Sequence, residues 1–191
     1  FIGTEEERKA IHLAQTTYRK SGGTGPLCDA VGKTSLPQLA AVLSQCRLLL
    51  TNDTGPMHLA VGVGTPVIDL SVGHVDFRET GPYGPGHWMV QPDLGCAPCG
   101  FDQVCFHHAC KDRIVPDQVA ALCLHVLAGV PFPRSISGVR IYRSCADEDG
   151  LGNTELQAGR EDLLVDWYGR FWRRFWFEEF TGRPSRVPCD H

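Results

Sequence analysis

The 191-residue chain holds no run of the ~18 apolar residues that a membrane-spanning helix needs. It does not open on a charged segment followed by an apolar stretch, so no signal peptide is expected. Positive charge is also scarce: 18 Lys and Arg stand against 22 Asp and Glu, for a formal charge of -4. Proteins that neutralise phosphate backbones are usually strongly basic, so general nucleic-acid binding is excluded. No internal repeat is found, and no methionine stands at the start. Phe1-Ile2-Gly3 reads like the end of a strand, as expected of a piece of a longer protein with its N-terminal side missing. What remains is an ordinary globular composition, long enough for one α/β domain with a core and an added element. Cysteine is the exception. Four of the nine crowd between Cys96 and Cys110, while Cys28, Cys46, Cys123, Cys145 and Cys189 are scattered. An odd number without a leader suits a reducing cytoplasm better than a disulfide framework.

The periodicity alternates between helices and short apolar strands. Thr4 to Lys20 reads as a helix with Thr4 and Glu7 at capping-box spacing. A Gly-rich loop follows, then a helix from about Leu36 to Ser44 capped by Ser35, with Leu36, Leu39, Ala40 and Leu43 on one face. Leu48 to Thr51 has the apolar run of a buried parallel strand. Pro56 to Val61 is a short helix closed by Gly62 and Gly64, and Val67 to Leu70 is a second strand. That alternation predicts an α/β fold with a doubly wound, Rossmann-like parallel sheet. Beyond Gly73 the chain is rich in Gly, Pro, His and Cys, and regular structure is expected again only at Val115 to Leu127. Val130-Pro131-Phe132-Pro133 marks a boundary, dividing the chain into a domain over residues 1–133 and a C-terminal extension over 134–191. The extension is expected to hold one strand over Val139 to Arg143, a polar Gly-rich stretch, and an aromatic helix from about Arg160 to Phe180.

The chemistry concentrates in Asn52-Asp53-Thr54-Gly55-Pro56-Met57-His58. A strand running directly into a helix with Pro in its first turn leaves unpaired amides at the helix start, where the dipole favours an anion. The amides of Thr54, Gly55 and Met57 are expected to be free, with the Thr54 hydroxyl and His58 as further donors. Such a turn sits at the carboxyl end of a parallel strand, where open α/β sheets bind ligands. Taken alone, Asp53 and Thr54 serve equally well as helix caps. An aspartic-protease reading of Asp-Thr-Gly is excluded by the helix that follows, since that motif belongs to an all-β setting. Gly32-Lys33-Thr34-Ser35 is not a Walker loop, because the earlier glycine of that spacing is replaced by Leu27.

The extended pattern decides between these readings. Gly32-Lys33-Thr34-Ser35-Leu36, then Asn52 to Ala60, Gly64-Thr65-Pro66-Val67, Gly81-Pro82-Tyr83-Gly84 and Cys96-Ala97-Pro98-Cys99 resemble the family 9 glycosyltransferases, the lipopolysaccharide heptosyltransferase group, over roughly residues 1–130. The resemblance implies the C-terminal, donor-binding half of a two-domain GT-B fold. Asp53 would then contact sugar hydroxyls, and Thr54, Gly55, Pro56 and Met57 would hold the diphosphate. His58 would face the phosphates and ease the leaving group, the one catalytic assignment in this chain. Lys33 and Thr34 would lie near the adenine, and Glu5, or else Glu7, would grip the ribose. The implied donor is an ADP-heptose-like nucleoside-diphosphate sugar, and the implied acceptor a glycolipid held by the N-terminal domain. That domain would also supply the base, so this chain alone is expected to bind donor and catalyse little. No cofactor or metal is implied. Two departures stand out: Asp69, where the family carries a small or aliphatic residue, and Ser71-Val72-Gly73-His74 in the following turn. Both are expected to line the donor pocket, which leaves the sugar open.

The alternative function is a nucleotide-binding or interaction module without transferase activity. Cys96, Cys99, Cys105 and Cys110, with His107 and His108 between, fit reduced thiols, a structural zinc or disulfides formed on isolation. In the tail, Leu164, Tyr168, Phe171 and Phe175 recur at helical spacing, widened by Trp167, Trp172 and Trp176, with Arg170, Arg173 and Arg174 among them. They fit a helix packed on its own or the missing domain, or an interfacial helix at the inner face of a membrane. Glu178 and Glu179 weigh against the membrane face. The expected location is the cytoplasm, with peripheral membrane contact as its variant.

Overall fold

The computed structural model describes residues 1–187, so Cys189 lies outside the described residues. Contacts divide the chain into two compact units, Phe1–Val42 and the remainder from Leu43.

In the first unit, Glu5–Glu7 form a 3₁₀ turn that leads into α1, Arg8–Lys20. The expected capping box is present, since Glu7 Oε2 accepts the Thr4 amide at 2.7 Å. Helix α1 ends at Ser21-Gly22, with Gly22 at φ 85°. Phe1–Gly3 is not a regular strand. It runs beside Cys28–Gly32 through three hydrogen bonds, Phe1 N to Cys28 O, Ala30 N to Phe1 O and Gly32 N to Gly3 O. Arg8 ties the unit together by reaching Glu5, Asp29 and the Val31 carbonyl. Helix α2, Leu36–Leu43, spans the division.

The second unit is built on one five-stranded sheet in the order β1-β2-β3-β4-β5. Its strands are β1 (Leu49–Thr51), β2 (Val67–Leu70), β3 (Trp88–Pro92), β4 (Val139–Ala146) and β5 (Gly152–Ala158). The first three pair in parallel, with Leu49 opposite Val67 and Ile68 opposite Trp88. The last two add an antiparallel hairpin, Val90 facing Ile141. Helix α3 (Gly55–Gly62) connects β1 to β2, and α4 (Phe77–Thr80) lies between β2 and β3. Then come α5 (Ala109–Arg113), α6 (Pro116–Ala128) and α7 (Leu163–Thr181). This is an α/β, Rossmann-like arrangement, as the alternation predicts.

Period-two alternation separates the faces of the sheet. On one, Ile68, Trp88, Val90, Val139 and Ile141 pack against Leu122 of α6. On the other, Met89 and Tyr142 pack with Phe77 and Leu156. Two strands escape the sequence reading. Trp88–Pro92 is apolar enough for a strand but lies between Gly86-His87 and the Cys-rich loop, where punctuation hides it. The polar Gly-rich stretch supplies β5, an edge strand that turns only Thr154, Leu156 and Ala158 inward. The extension therefore begins as part of the sheet before it becomes helical.

Candidate functional site

Strand β1 ends at Thr51, and the chain turns through Asn52 and Asp53 into α3. Thr54 is the residue before the helix, extended at φ -152°, and its side chain makes no capping bond. Its hydroxyl donates to the Asn52 carbonyl at 3.2 Å instead. The simple capping explanation of Asp53-Thr54 therefore finds no support in the geometry. The Met57 amide turns inward to the Thr54 carbonyl at 3.0 Å, so it is not free as expected. The amides of Thr54 and Gly55 make no hydrogen bond among the described residues. The space over Gly55 is open, since a β-carbon there would meet nothing within 4 Å. Pro56 occupies the first turn and Met57 is fully buried, which anchors the helix start from beneath.

The Asp53 side chain is nearly buried, at 8% exposure. One of its oxygens accepts the Thr80 hydroxyl at the end of α4, and the other lies 3.8 Å from His58 Nε2. His58 itself is half exposed. Thr80 is a partner that motif reading misses. Its only trace in the sequence is its place immediately before Gly81-Pro82-Tyr83-Gly84.

On the neighbouring strand, Asp69 sits opposite Thr51 and has no exposed surface. Burial pushes its carboxyl up to about 6, against the pull of the Ser71 hydroxyl it accepts, and the Asp53 charge pushes the same way. Its Oδ1 has no hydrogen-bond partner. Two carboxyls thus stand at the carboxyl ends of adjacent parallel strands, one pinned by Thr80 and the other deeply buried. Ser71, also buried, is a second residue whose role the sequence only hinted at.

Three expected site residues belong to the first unit. Glu5 is held in a two-pronged pair with Arg8, both bonds at 2.6 Å, and that guanidinium keeps its carboxyl below the usual range. A side chain at Gly32, where φ is 65°, would collide with the Glu5 carboxylate. Lys33 Nζ donates to the Asp29 carbonyl at 2.8 Å, and Thr34 is half-buried. Glu7, the alternative to Glu5, is taken by the capping box.

The Cys99 thiol is pushed up by burial and, to a lesser degree, by Cys96, Cys105 and Cys110. The Cys99 amide fixes the Cys-rich loop to the Gly73 carbonyl at 2.8 Å, and Cys105 Sγ accepts the His108 amide at 3.3 Å. The eight cysteines among the described residues are free thiols, and no group of three or more His, Cys, Asp or Glu there is placed to hold a metal.

A mixed sheet led by three parallel strands, with an open helix start at the end of the first, defines a Rossmann-like domain with an anion-ready turn. Residues 4–109 match glycosyltransferase family 9 (heptosyltransferase), and the chain belongs to that family. It is 32% identical over 120 residues to lipooligosaccharide heptosyltransferase 2 of Campylobacter jejuni serotype O:2, covering 61% of this chain and 36% of that protein. The serotype O:6 counterpart is 31% identical over the same length. The lipopolysaccharide core heptosyltransferase OpsX of Haemophilus influenzae is 50% identical over 55 residues, 29% of this chain and 16% of that protein. The chain thus spans about a third or less of the length of these curated relatives. No solved structure matches it with comparable significance.

Proposed function

We propose that the chain is the donor-binding part of an inverting glycosyltransferase that moves a heptose-like sugar from a nucleoside diphosphate to a lipopolysaccharide or related glycan. The observation that carries this is the turn at Asp53 to His58, a family 9 turn with two unpaired amides, open space over Gly55 and an imidazole beside the anchored carboxylate. The names of the relatives, lipooligosaccharide and lipopolysaccharide core heptosyltransferases, support the sugar and the acceptor class.

In this reading the diphosphate lies over Gly55 against the Thr54 and Gly55 amides, with Pro56 and Met57 fixing the turn. Asp53, held by Thr80, accepts hydrogen bonds from sugar hydroxyls. The acceptor oxygen attacks the anomeric carbon as the bond to the diphosphate breaks. The bonding pair leaves on the phosphate oxygen, and the acceptor proton passes to a base in the N-terminal domain. His58 and the helix start stabilise the charge that develops on the departing diphosphate. Glu5 at the ribose, and Lys33 and Thr34 near the adenine, enter the proposal through the family resemblance alone. In this reading residues 1–133 are the donor domain and 134–191 an extension, whose first two strands join the same sheet. With no residue here assigned as base, the chain alone binds donor and turns over little. The enzyme works in the cytoplasm beside the inner membrane, where a glycolipid acceptor resides.

Calorimetric titration with ADP, UDP and GDP tests the pocket. ADP is expected to bind, and His58→Ala to weaken it by about tenfold, roughly 1.4 kcal/mol. If none of the three nucleotides binds, or if the variant binds as well as the parent, the assignment fails.

A further inference from the structure

Helix α4 is a single turn of four residues, Phe77–Thr80. So short a turn does not hold itself in water, because helix nucleation is costly, and its place is set by what its side chains grip. Asp76 caps its start, accepting the Arg78 amide at 3.1 Å. Phe77 is buried against Met89 and Tyr142 on one face of the sheet. Gly81 closes the turn so tightly that a β-carbon there would collide with the Phe77 carbonyl.

Arg78 and Thr80 leave α4 in different directions, since residues two apart on a helix do not face each other. Thr80 reaches the donor turn, where its hydroxyl donates to Asp53 Oδ2. Arg78 reaches the C-terminal extension. Its Nη2 donates to Asp166 Oδ1 of α7 at 2.9 Å and to the Tyr142 hydroxyl of β4 at 3.2 Å. The guanidinium also lies over the Phe77 and Tyr142 rings, 4.6 and 5.1 Å from their centres. Its side chain is 19% exposed, so the pair with Asp166 is screened less than a surface pair. Beside it lies a cavity of about 530 Å³, lined by Arg78, Glu79, Tyr142 and Asp166 among others. On that side polar bonds, not close packing, hold α4.

Helix α7 is itself fastened by ionic bonds. Asp162, which caps it, pairs with Arg140 at 3.2 Å, and Arg173 reaches both Asp147 and Asp149 on the turn between β4 and β5. Its rings are left outward, Trp172 at 49% and Phe175 at 43% exposure. A continuous line of contacts therefore runs from α7 through Asp166, Arg78, α4 and Thr80 to Asp53, all within the second unit. The two ends of a nucleotide sugar would depend on this line differently. A diphosphate over the Thr54 and Gly55 amides meets backbone that α4 does not hold. A carboxylate that accepts particular sugar hydroxyls does so only in one orientation, and a small displacement removes the fit.

We propose that Arg78 is a positioning residue for the sugar end of the donor. By fastening α4 to β4 and α7 it fixes Thr80, and through Thr80 it orients the Asp53 carboxylate towards the sugar hydroxyls. The proposal rests on the donor-binding reading and deepens it, because it gives the C-terminal extension a share in selecting the sugar. The nucleotide is held without it.

Calorimetric titration of the full chain with ADP and with ADP-heptose tests it. Arg78→Ala is expected to weaken ADP-heptose by about fivefold and to leave ADP within about twofold, because only the sugar meets Asp53. Arg78→Lys keeps a charge for Asp166 but not the fork that also meets Tyr142, and should recover part of the loss. Asp166→Ala breaks the same bond from the α7 side, at a helical position that favours alanine, and should show the same split even if Arg78→Ala fails to fold. In a double-mutant cycle, Arg78→Ala/Thr80→Val should bind ADP-heptose no worse than Thr80→Val alone, since both changes act on Asp53. The proposal is overturned if Asp166→Ala and Arg78→Ala bind ADP-heptose like the parent, or if both ligands weaken alike. It is equally overturned if the two losses add in the cycle, or if the parent binds ADP but not ADP-heptose. A parent that binds neither ligand overturns the donor reading itself and this proposal with it, so the two failures are told apart by ADP.

Discussion

At Asp69 a carboxyl group lies on β2 with no exposed surface, one oxygen accepting the Ser71 hydroxyl and the other unpartnered. Because burial raises its pKa to about 6, from an ordinary value of 3.8, the folded state prefers it protonated. An acid that binds its proton more tightly when folded loses stability as pH rises between those two values, and the loss is complete above the higher one. Ionised Asp69 should therefore cost on the order of 2–3 kcal/mol near neutrality. Asp69→Asn is expected to be more stable than the parent in urea unfolding at about pH 7.5, with the gap closing towards about pH 4. A gap that persists unchanged in acid would show that ionisation is not its cause. The same scale shows how much of the site was readable beforehand. Motif and spacing single out Asp53, Gly55 and His58 as candidates. They do not single out Thr80 or Ser71, because a hydroxyl on a distant loop becomes a partner only when the fold delivers it.

Among the elements, β2 was read to the residue and α3 and α6 to within about one at each end, since apolar runs and Pro-Gly punctuation are local signals. Strands β3 and β5 were not. The first is fully buried in the middle of the sheet and so shows no alternation. The second alternates, but its inward residues are only Thr154, Leu156 and Ala158, too weak an apolar signal among Gly, Asn, Glu and Gln. Helix α7 was expected within three residues of where it lies, but its orientation was not. That depended on Arg173 meeting two acids of the hairpin turn, Asp147 and Asp149, whose side chains are almost wholly covered. Asp149 is also gripped by the Ser185 hydroxyl at 2.7 Å and the Arg186 amide at 3.0 Å. Those donors, the Ser185 hydroxyl foremost, hold its carboxyl below the usual range. Arg173→Ala should loosen the helix without unfolding the sheet. Hydrogen exchange is the check: amides of 163–181 should lose protection while those of β1 to β3 keep theirs. Equal loss throughout would mean that the latch supports the whole unit.

For the molecule as a whole, stability of the second unit rests on the face where α6 covers the sheet. Leu122 is fully buried there among residues of β2, β3 and β4. Leu122→Ala removes that contact and leaves a cavity, which typically costs about 2–5 kcal/mol. In a chain of this length that corresponds to a fall in Tm of roughly 5–15 °C by calorimetry. A much smaller shift would mean that the sheet closes over the gap. The amino-acid sequence by itself determined the α/β class, the family and the place of the anion-ready turn, because periodicity and the Asn52 to Ala60 motif are carried by neighbours in the chain. Only the tertiary structure decided that the extension begins as two more strands of the same sheet, that Thr80 holds Asp53, and that the aromatic face of α7 looks outward. Each of these depends on groups tens of residues apart meeting in space. Burial and ion pairing at such meetings are properties of the packed molecule, with no local pattern to announce them.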